Sequence, residues 1–166
     1  MGIVGALLLV LGGTLWGWAE AWKRERRIHT LRDWQSALAI LATEIGYGLR
    51  LLPESLHRAA ALNGPSSRTL RRAAEDLGRG EGKTVAEIWE KTLKKEDLDR
   101  EEREILLSLG SVLGTSPGED QIRHLHLARE RLGSLQARLE DRLRREARLY
   151  RYLGFLGGSA LALLLW

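Results

Sequence analysis

Residues 28–52, IHTLRDWQSALAILATEIGYGLRLL, carry apolar positions at steps of three and four. The members of this stripe are Ile28, Leu31, Trp34, Leu38, Leu41, Ile45, Gly48 and Leu52. This spacing places one side chain from each turn on a single face, so it predicts an amphipathic helix that packs against neighbouring helices. No run with the two-residue alternation of a strand interrupts it, so the stretch indicates an all-α fold.

Three later helices are predicted from their start signals. Thr84 and Glu87 have the spacing of a capping box, in which each side chain satisfies the backbone N–H of the other residue. Asp99 and Glu102 repeat that spacing. Ser116, followed by Pro117, predicts the start of the last helix. Its apolar positions run toward the C-terminal tail and comprise Ile122, Leu125, Leu132, Leu135, Leu139 and Leu143.

Two helices are predicted between the first stripe and Thr84. Pro53 suits the first turn of a helix that ends before Asn63-Gly64-Pro65. Ser66 or Ser67 is then expected to cap a helix that runs to about Leu77. The chain of 166 residues is therefore predicted to form one helical bundle.

Residues 77–84, LGRGEGKT, resemble a phosphate-binding P-loop but have three residues between Gly78 and Gly82 where the motif has one more. The preceding stretch, RTLRRAAEDL, is amphipathic and charged, whereas a P-loop follows a buried strand. We therefore interpret Gly78 to Gly82 as a flexible linker and Lys83-Thr84 as a helix start.

The composition argues against catalysis and metal binding. The chain has no cysteine and four histidines, and His124 and His126 are two residues apart, so they point to different faces of a helix. No nucleophile in a strained turn or paired carboxylates in a pocket can be recognised. Aromatic residues are few, which disfavours nucleic-acid binding. The sequence thus predicts no catalytic, cofactor-binding or metal-binding residues and no enzyme activity.

The two ends of the chain are predicted to be membrane helices. Gly2 to Ala21 contains a single charge, Glu20, and as a helix is long enough to cross a bilayer. The segment 152–166 is shorter, and a thinned bilayer accommodates such a mismatch. We therefore divide the chain into a transmembrane helix at 1–22, a cytoplasmic bundle at 23–151 and a short transmembrane helix at 152–166.

Basic and aromatic residues flank both apolar ends, which places the lysine- and arginine-rich sides in the cytoplasm. The residues expected at the membrane interface are Trp18, Trp22, Lys23, Arg24, Tyr150, Arg151 and Tyr152. The net charge of +4 results partly from these flanks and suits an anionic lipid bilayer as a partner.

Small residues recur at every fourth position in both apolar ends. They are Gly13, Gly17 and Ala21 in the first and Gly154, Gly158 and Ala162 in the second. Such seams allow close packing of helices in lipid, and the matching depths predict an antiparallel hairpin. Small residues are also common in membrane helices, so a chance match is the alternative.

Glu44 is the one acidic residue at the edge of the first apolar stripe. It is either an exposed or arginine-paired helix residue, or a polar contact to a partner helix. We name Glu44, Tyr47 and Gly48 as candidate partner-binding residues.

Several stretches in order along the chain resemble the stage III sporulation protein AB family of endospore-forming bacteria. They are ALAILATEIGYG (37–48) followed by LLPESL, TVAEIWEKTL (84–93), LGSVLGTSPGEDQ (109–121) and the tail RYLGFLGGSALALLLW. The resemblance covers the chain from end to end. One departure is Thr115-Ser116-Pro117, where the family pattern leads us to expect an acidic residue.

This resemblance implies a six-helix bundle similar to a domain of the inner-membrane platform protein of type II secretion and type IV pilus machines. It also implies a non-enzymatic role in a channel complex between mother cell and forespore, located in the mother-cell membrane around the forespore. The implied partners are other membrane proteins of the complex and a separate secretion-type ATPase, and homo-oligomers are compatible with it. The alternative is a membrane-tethered helical adaptor or sensor module unrelated to secretion.

Overall fold

The computed structural model describes the backbone of residues 2–47, 51–62, 64–80 and 82–164, and the side chains of residues 25–47, 51–62, 64–80 and 82–146. Within these ranges the fold has six α-helices and no strand. The helices are α1 (Gly2–Tyr47), α2 (Leu52–Ala59), α3 (Pro65–Gly78), α4 (Val85–Leu93), α5 (Arg100–Leu107) and α6 (Gly118–Leu164). The predicted all-α class is confirmed.

The two long helices α1 and α6 form an antiparallel pair. The side-chain amide of Gln35 donates to Gln136 over 2.8 Å, and Arg32 forms an ion pair of 2.7 Å with Glu140. At the other end of the bundle, Gly46 packs closely against Ile122. As the residue number falls along α1 from Gly46 to Arg32, it therefore rises along α6 from Ile122 to Glu140.

The four short helices cover one side of this pair and enclose the hydrophobic core. α2 and α3 pack on α1, α4 packs on α3, and α5 lies between α4 and α6. The edge of one indole ring meets the face of another where Trp34 and Trp89 pack, with 6.3 Å between ring centroids. The Trp89 ring nitrogen donates to the carbonyl of Leu106 over 2.7 Å. These contacts join α1, α4 and α5.

The predicted apolar stripes form much of this core. The fully or almost fully buried members from α1 and α6 are Ile28, Leu31, Trp34, Leu38, Leu41, Leu125, Leu132 and Leu135. Ile45, Ile122 and Leu139 are partly buried against it. The helical spacing read from the sequence therefore identified which faces of the long helices are buried, because apolar burial is the main favourable term in folding.

Two predicted capping boxes are present. The hydroxyl of Thr84 accepts from the backbone N–H of Glu87, whose carboxylate accepts from the backbone N–H of Thr84 over 2.9 Å. Asp99 and Glu102 form the same reciprocal pair at the start of α5. These caps satisfy backbone donors that the first helical turn leaves without partners.

The predicted cap of α3 is wrong. The helix begins at Pro65, and its N-cap residue is Gly64 and not Ser66 or Ser67. The Ser67 hydroxyl donates instead to the carbonyl of Ala60 over 2.6 Å. The capping acceptor for α3 comes from α1, since the Asp33 carboxylate accepts from the backbone N–H of Ser66.

The start of α6 also differs from the prediction. The helix begins at Gly118, one residue later than a cap at Ser116 requires. The side chain of Gln121 bridges this loop, donating to the Ser116 carbonyl over 2.7 Å and accepting from the Gly114 N–H over 3.1 Å. These two hydrogen bonds tie the loop before α6 to the start of the helix.

No helical segment is both long and apolar enough to cross a bilayer in the part of the chain whose side chains are described. Both predicted spans, 1–22 and 152–166, lie outside that part. So do the side chains of the interface residues Trp18, Trp22, Lys23, Arg24, Tyr150, Arg151 and Tyr152. The side chains of the seam residues Gly13, Gly17, Ala21, Gly154, Gly158 and Ala162 lie outside it as well.

Candidate partner-binding site

An apolar groove lies at the end of the bundle where α1 ends and α6 begins, and we call it the distal groove. It has a volume of 470 Å³. Its lining comes from α1, the starts of α2 and α4, the end of α3, and the segment that leads into α6 together with the beginning of that helix. The lining residues are Ile45, Leu51, Leu52, Pro53, Leu77, Val85, Gly114 and Gln121. Because five separate segments supply these residues, the groove exists only in the folded bundle.

Gly114 shapes the floor of the groove. Its φ of +71° lies in the left-handed region that favours glycine. A Cβ at this position would lie 3.0 Å from Leu52 Cδ2 and 3.2 Å from Val85 Cγ2. Both the backbone conformation and the close approach of these two side chains therefore require glycine here.

Two large hydrophobic side chains in this region are exposed: Leu51 lines the groove, and Tyr47 ends α1 two residues after the lining residue Ile45. Tyr47 is 94% exposed and Leu51 is 79% exposed. In the described part of the chain, the only other exposed large hydrophobic residue is Leu127, on α6, at 40%. Exposed apolar side chains grouped around a groove mark an interaction site, because burying each one against a partner is favourable by about 2 kcal/mol.

Two of the predicted partner-binding residues, Glu44 and Tyr47, lie near this end of the bundle, at the end of α1. Glu44 forms an ion pair of 3.6 Å with Arg58, so of the two interpretations left open for it the arginine-paired one is observed. Arg58 is also 3.9 Å from Glu54. Tyr47 is exposed beside the groove, whereas Gly48 lies outside the described residues. Their role in binding a partner stays a prediction.

The sequence analysis missed most of the groove lining. Leu51 directly precedes α2, and Leu52 and Pro53 are its first two residues. An apolar run at the start of a helix that follows a short connection is a signal that could have identified them, because residues in and beside connections are usually polar. Leu77 and Val85 carried no comparable signal, because each also fits the apolar face of its own helix.

A second cleft, of 770 Å³, lies near the other end of the described bundle. Arg27 dominates it and forms ion pairs with Asp99 and, over 2.6 Å, with the buried carboxylate of Glu102. These contacts connect α1 to the start of α5. Because the Glu102 carboxylate is buried and ion-paired with Arg27, we assign these contacts a structural role.

Other charged groups in the described part also pair between or within helices. The side chain of Gln136, together with Arg32, donates hydrogen bonds to Glu140 and lowers the pKa of that carboxyl group. The carboxylate of Glu104 accepts a hydrogen bond from Arg100 and raises the pKa of that guanidinium. Among the described side chains, no three His, Asp or Glu residues are placed to hold a metal ion.

Comparison with known proteins decides the family. The sequence model for stage III sporulation protein AB matches residues 2–166. The chain belongs to the stage III sporulation protein AB family. A family member from Bacillus subtilis (strain 168), stage III sporulation protein AB, is 30% identical over 168 residues, which cover 98% of each chain.

A solved structure of a stage III sporulation protein AB is also similar. It superposes with a TM-score of 0.65 at 28% identity and covers 72% of this chain and 98% of that chain. The family resemblance found in the sequence is thereby confirmed, and the chain is related to a sporulation protein.

Proposed function

We propose that this chain is a membrane-anchored, non-enzymatic platform subunit of a secretion-like channel complex between mother cell and forespore during endospore formation. The observation that carries the proposal is the relation between the two long helices and the groove. α1 and α6 are antiparallel and continue toward the two apolar chain ends, while the distal groove lies at the opposite end of the bundle. A domain that is anchored in the membrane at one end and carries an apolar groove at the other end suits a scaffold.

The dimensions fit this arrangement. Lys23, at the predicted membrane flank, and Tyr47, beside the groove, are joined by continuous helix. At a rise of about 1.5 Å per residue, this part of α1 spans roughly 36 Å. The groove would therefore stand well clear of the mother-cell membrane on its cytoplasmic side, within reach of a separate secretion-type ATPase and of cytoplasmic parts of other membrane proteins.

The segment that resembles a P-loop, residues 77–84, supports a non-enzymatic role. The Thr84 hydroxyl accepts from the backbone N–H of Glu87 over 3.3 Å, so it serves a helix cap. In a P-loop the corresponding hydroxyl coordinates the magnesium ion of the nucleotide. We therefore propose that nucleotide hydrolysis belongs to the partner ATPase.

Insertion topology is the first test. A reporter active only in the cytoplasm, inserted between Gly78 and Gly82, is expected to be active, and the same reporter fused after Trp166 is expected to be silent. Glycines with positive φ and open space around them make this loop suitable for an insertion. Activity at both positions would contradict a crossing C-terminal segment.

Co-purification is the decisive test. The full tagged chain, isolated from membranes of sporulating cells, is expected to bring along channel membrane proteins and the ATPase, and deletion of its gene is expected to block spore formation. A chain lacking residues 1–22 serves as the control and is expected to lose these partners. Recovery of a kinase or receptor instead would favour the adaptor or sensor role.

A further inference from the structure

We infer that the connection between α4 and α5, residues 94–99, rests on the phospholipid headgroup layer of the membrane. The inference rests on the proposed membrane anchoring of this chain. It adds a second contact with the bilayer, which is made by the folded bundle itself and not by the two apolar ends. We call it the headgroup contact.

Contacts with α1 place this connection near the predicted membrane flank. Arg27, on α1, forms ion pairs with Asp99 at the end of the connection and, over 2.6 Å, with Glu102 in the first turn of α5. Asp97 lines the cleft of 770 Å³ together with Arg26. The connection therefore lies beside the first turns of α1 whose side chains are described.

The distance from this level of α1 to the bilayer is short. Arg27 follows Lys23, a predicted interface residue, by four positions in one continuous helix, which corresponds to roughly 6 Å along the helix axis. The headgroup region extends roughly 5–8 Å beyond the hydrocarbon core on each side of a bilayer. With Lys23 at the edge of the core, the connection meets the outer part of the headgroup layer.

The other connections between the described helices lie farther from the membrane. The start of α3 is level with Asp33, whose carboxylate accepts from the Ser66 N–H, and Asp33 is roughly 15 Å from Lys23 along α1. The three remaining connections lie at the groove end of the bundle, where residues in or next to them line the distal groove, namely Leu51, Val85 and Gly114. Of the described connections, the one between α4 and α5 therefore approaches the membrane most closely.

The side chains of this connection suit the headgroup layer and not the hydrocarbon core. The charged residues Lys94, Lys95, Asp97 and Asp99 are exposed, whereas Leu98 is buried in the hydrophobic core of the bundle. Lysine is attracted to lipid phosphate, and a charged side chain within hydrocarbon is costly. The connection would thus rest on the bilayer without inserting. Together with the two membrane helices it gives three points of support, which would limit tilting of the bundle.

The test uses the full chain in lipid nanodiscs, with a fluorophore on a single introduced cysteine and a lipid that carries a nitroxide quencher on its headgroup. The natural chain has no cysteine, so each label reports one position. Quenching after Asp97→Cys is expected to be within a factor of about two of that after Lys23→Cys, because the two positions differ little in height above the bilayer. Arg100→Cys provides a second position beside the connection, since the Arg100 side chain is 93% exposed.

Tyr47→Cys is the matched control, because Tyr47 is exposed on α1 but lies roughly 36 Å from Lys23 along the helix, and little quenching is expected there. Quenching at Lys23 but at neither Asp97 nor Arg100 would overturn the headgroup contact and leave the membrane anchoring intact. Equal quenching at Tyr47 and Asp97 would also overturn it, because the whole bundle would then lie along the membrane. No quenching at Lys23 would refute the anchoring, and the headgroup contact with it.

Discussion

The carboxylate of Asp33, in α1, accepts a hydrogen bond of 2.6 Å from the backbone N–H of Ser66, in the first turn of α3. Helix starts leave backbone donors without partners, and a side chain just before the helix usually satisfies them. Here the preceding residue is Gly64, which has no side chain to do so. A residue from another helix takes over that role and joins α1 to α3.

Asp33→Ala is therefore expected to lower the free energy of unfolding by about 1 kcal/mol, the usual cost of a lost cap. The measurement is urea unfolding of the detergent-solubilised chain, followed by circular dichroism. Asp97→Ala, at an exposed position, is the control. An equal effect of both substitutions would contradict the capping role of Asp33.

Gly64→Ala tests the same contact from the other side. Its φ of −111° suits any residue, but a Cβ would lie 1.7 Å from Asp33 Oδ1. We expect Gly64→Ala to destabilise the chain by displacing the Asp33 carboxylate. The double variant Asp33→Ala/Gly64→Ala should then lose less stability than the sum of the losses in the two single variants, because both substitutions remove the same interaction. Additive losses would contradict this coupling.

Arg27→Ala is expected to cost roughly 2–3 kcal/mol, because it leaves the buried Glu102 carboxylate without its positively charged partner. The Arg27 side chain is 29% exposed, which limits the loss. Arg100→Ala is the control, since its ion pair with Glu104 lies on the surface and should contribute little. Comparable unfolding midpoints for the two variants would refute a structural role for Arg27.

Thr84→Ala is expected to lower stability by about 1 kcal/mol without any other loss of function, because it removes the cap of α4. Lys83→Ala is expected to leave spore formation intact. Unfolding curves and spore counts measure these effects. Magnesium-dependent ATP binding by the purified chain, lost in Lys83→Ala, would instead reinstate a nucleotide site.

Glu140 is expected to make the stability of the bundle depend on pH. Its folded-state pKa is lowered by hydrogen bonds from Gln136 and Arg32, below an ordinary value of 4.5. The carboxylate therefore contributes stability above pH 4.5, and this contribution is lost as the pH falls through the folded-state pKa. Thermal unfolding at several pH values should show the wild type more stable than Glu140→Gln at neutral pH, with a difference that shrinks below pH 4.5.

Glu130→Gln, which alters an exposed carboxylate on the same helix, is the control for that comparison. It is expected to leave the pH profile of the wild type nearly unchanged. A difference between wild type and Glu140→Gln that persists at acidic pH would show that packing, and not the charge of Glu140, causes the effect.

Cysteines at Gly17 and Gly158 are expected to cross-link within one molecule. The ion pair of Arg32 with Glu140 sets the register of α1 against α6. Counting the same number of residues back from Arg32 along α1 and forward from Glu140 along α6 places Gly17 opposite Phe155. Phe155 is less than one helical turn from Gly158. The natural chain has no cysteine, so non-reducing electrophoresis reports this pair alone.

Cross-links formed only between molecules would make these seams an oligomer contact. No cross-link of either kind would remove the hairpin. Cysteines at Leu15 and Gly158 provide a control on the same helices with a position outside the first seam, and they are expected to react less.

Local sequence patterns predicted most of the fold because the forces that set them act within a few residues. Thr84 and Glu87, three positions apart, form their capping box as the spacing indicates. The start of α3 could not be predicted in this way, because its cap comes from Asp33. Likewise Glu102 looked like a capping residue, and only packing showed that it also binds Arg27.

The sequence by itself determined the helical class and the buried faces of α1 and α6, because periodicity and capping depend on neighbouring residues along one helix. The family was indicated separately, by the stretches that resemble it along the chain. Only the tertiary structure decided the cap between Asp33 and Ser66, 33 positions apart, and the ion pair between Arg27 and Glu102, 75 positions apart. It also decided the distal groove, which five segments form together. Contacts between distant residues depend on how the helices pack, and no local pattern specifies that geometry.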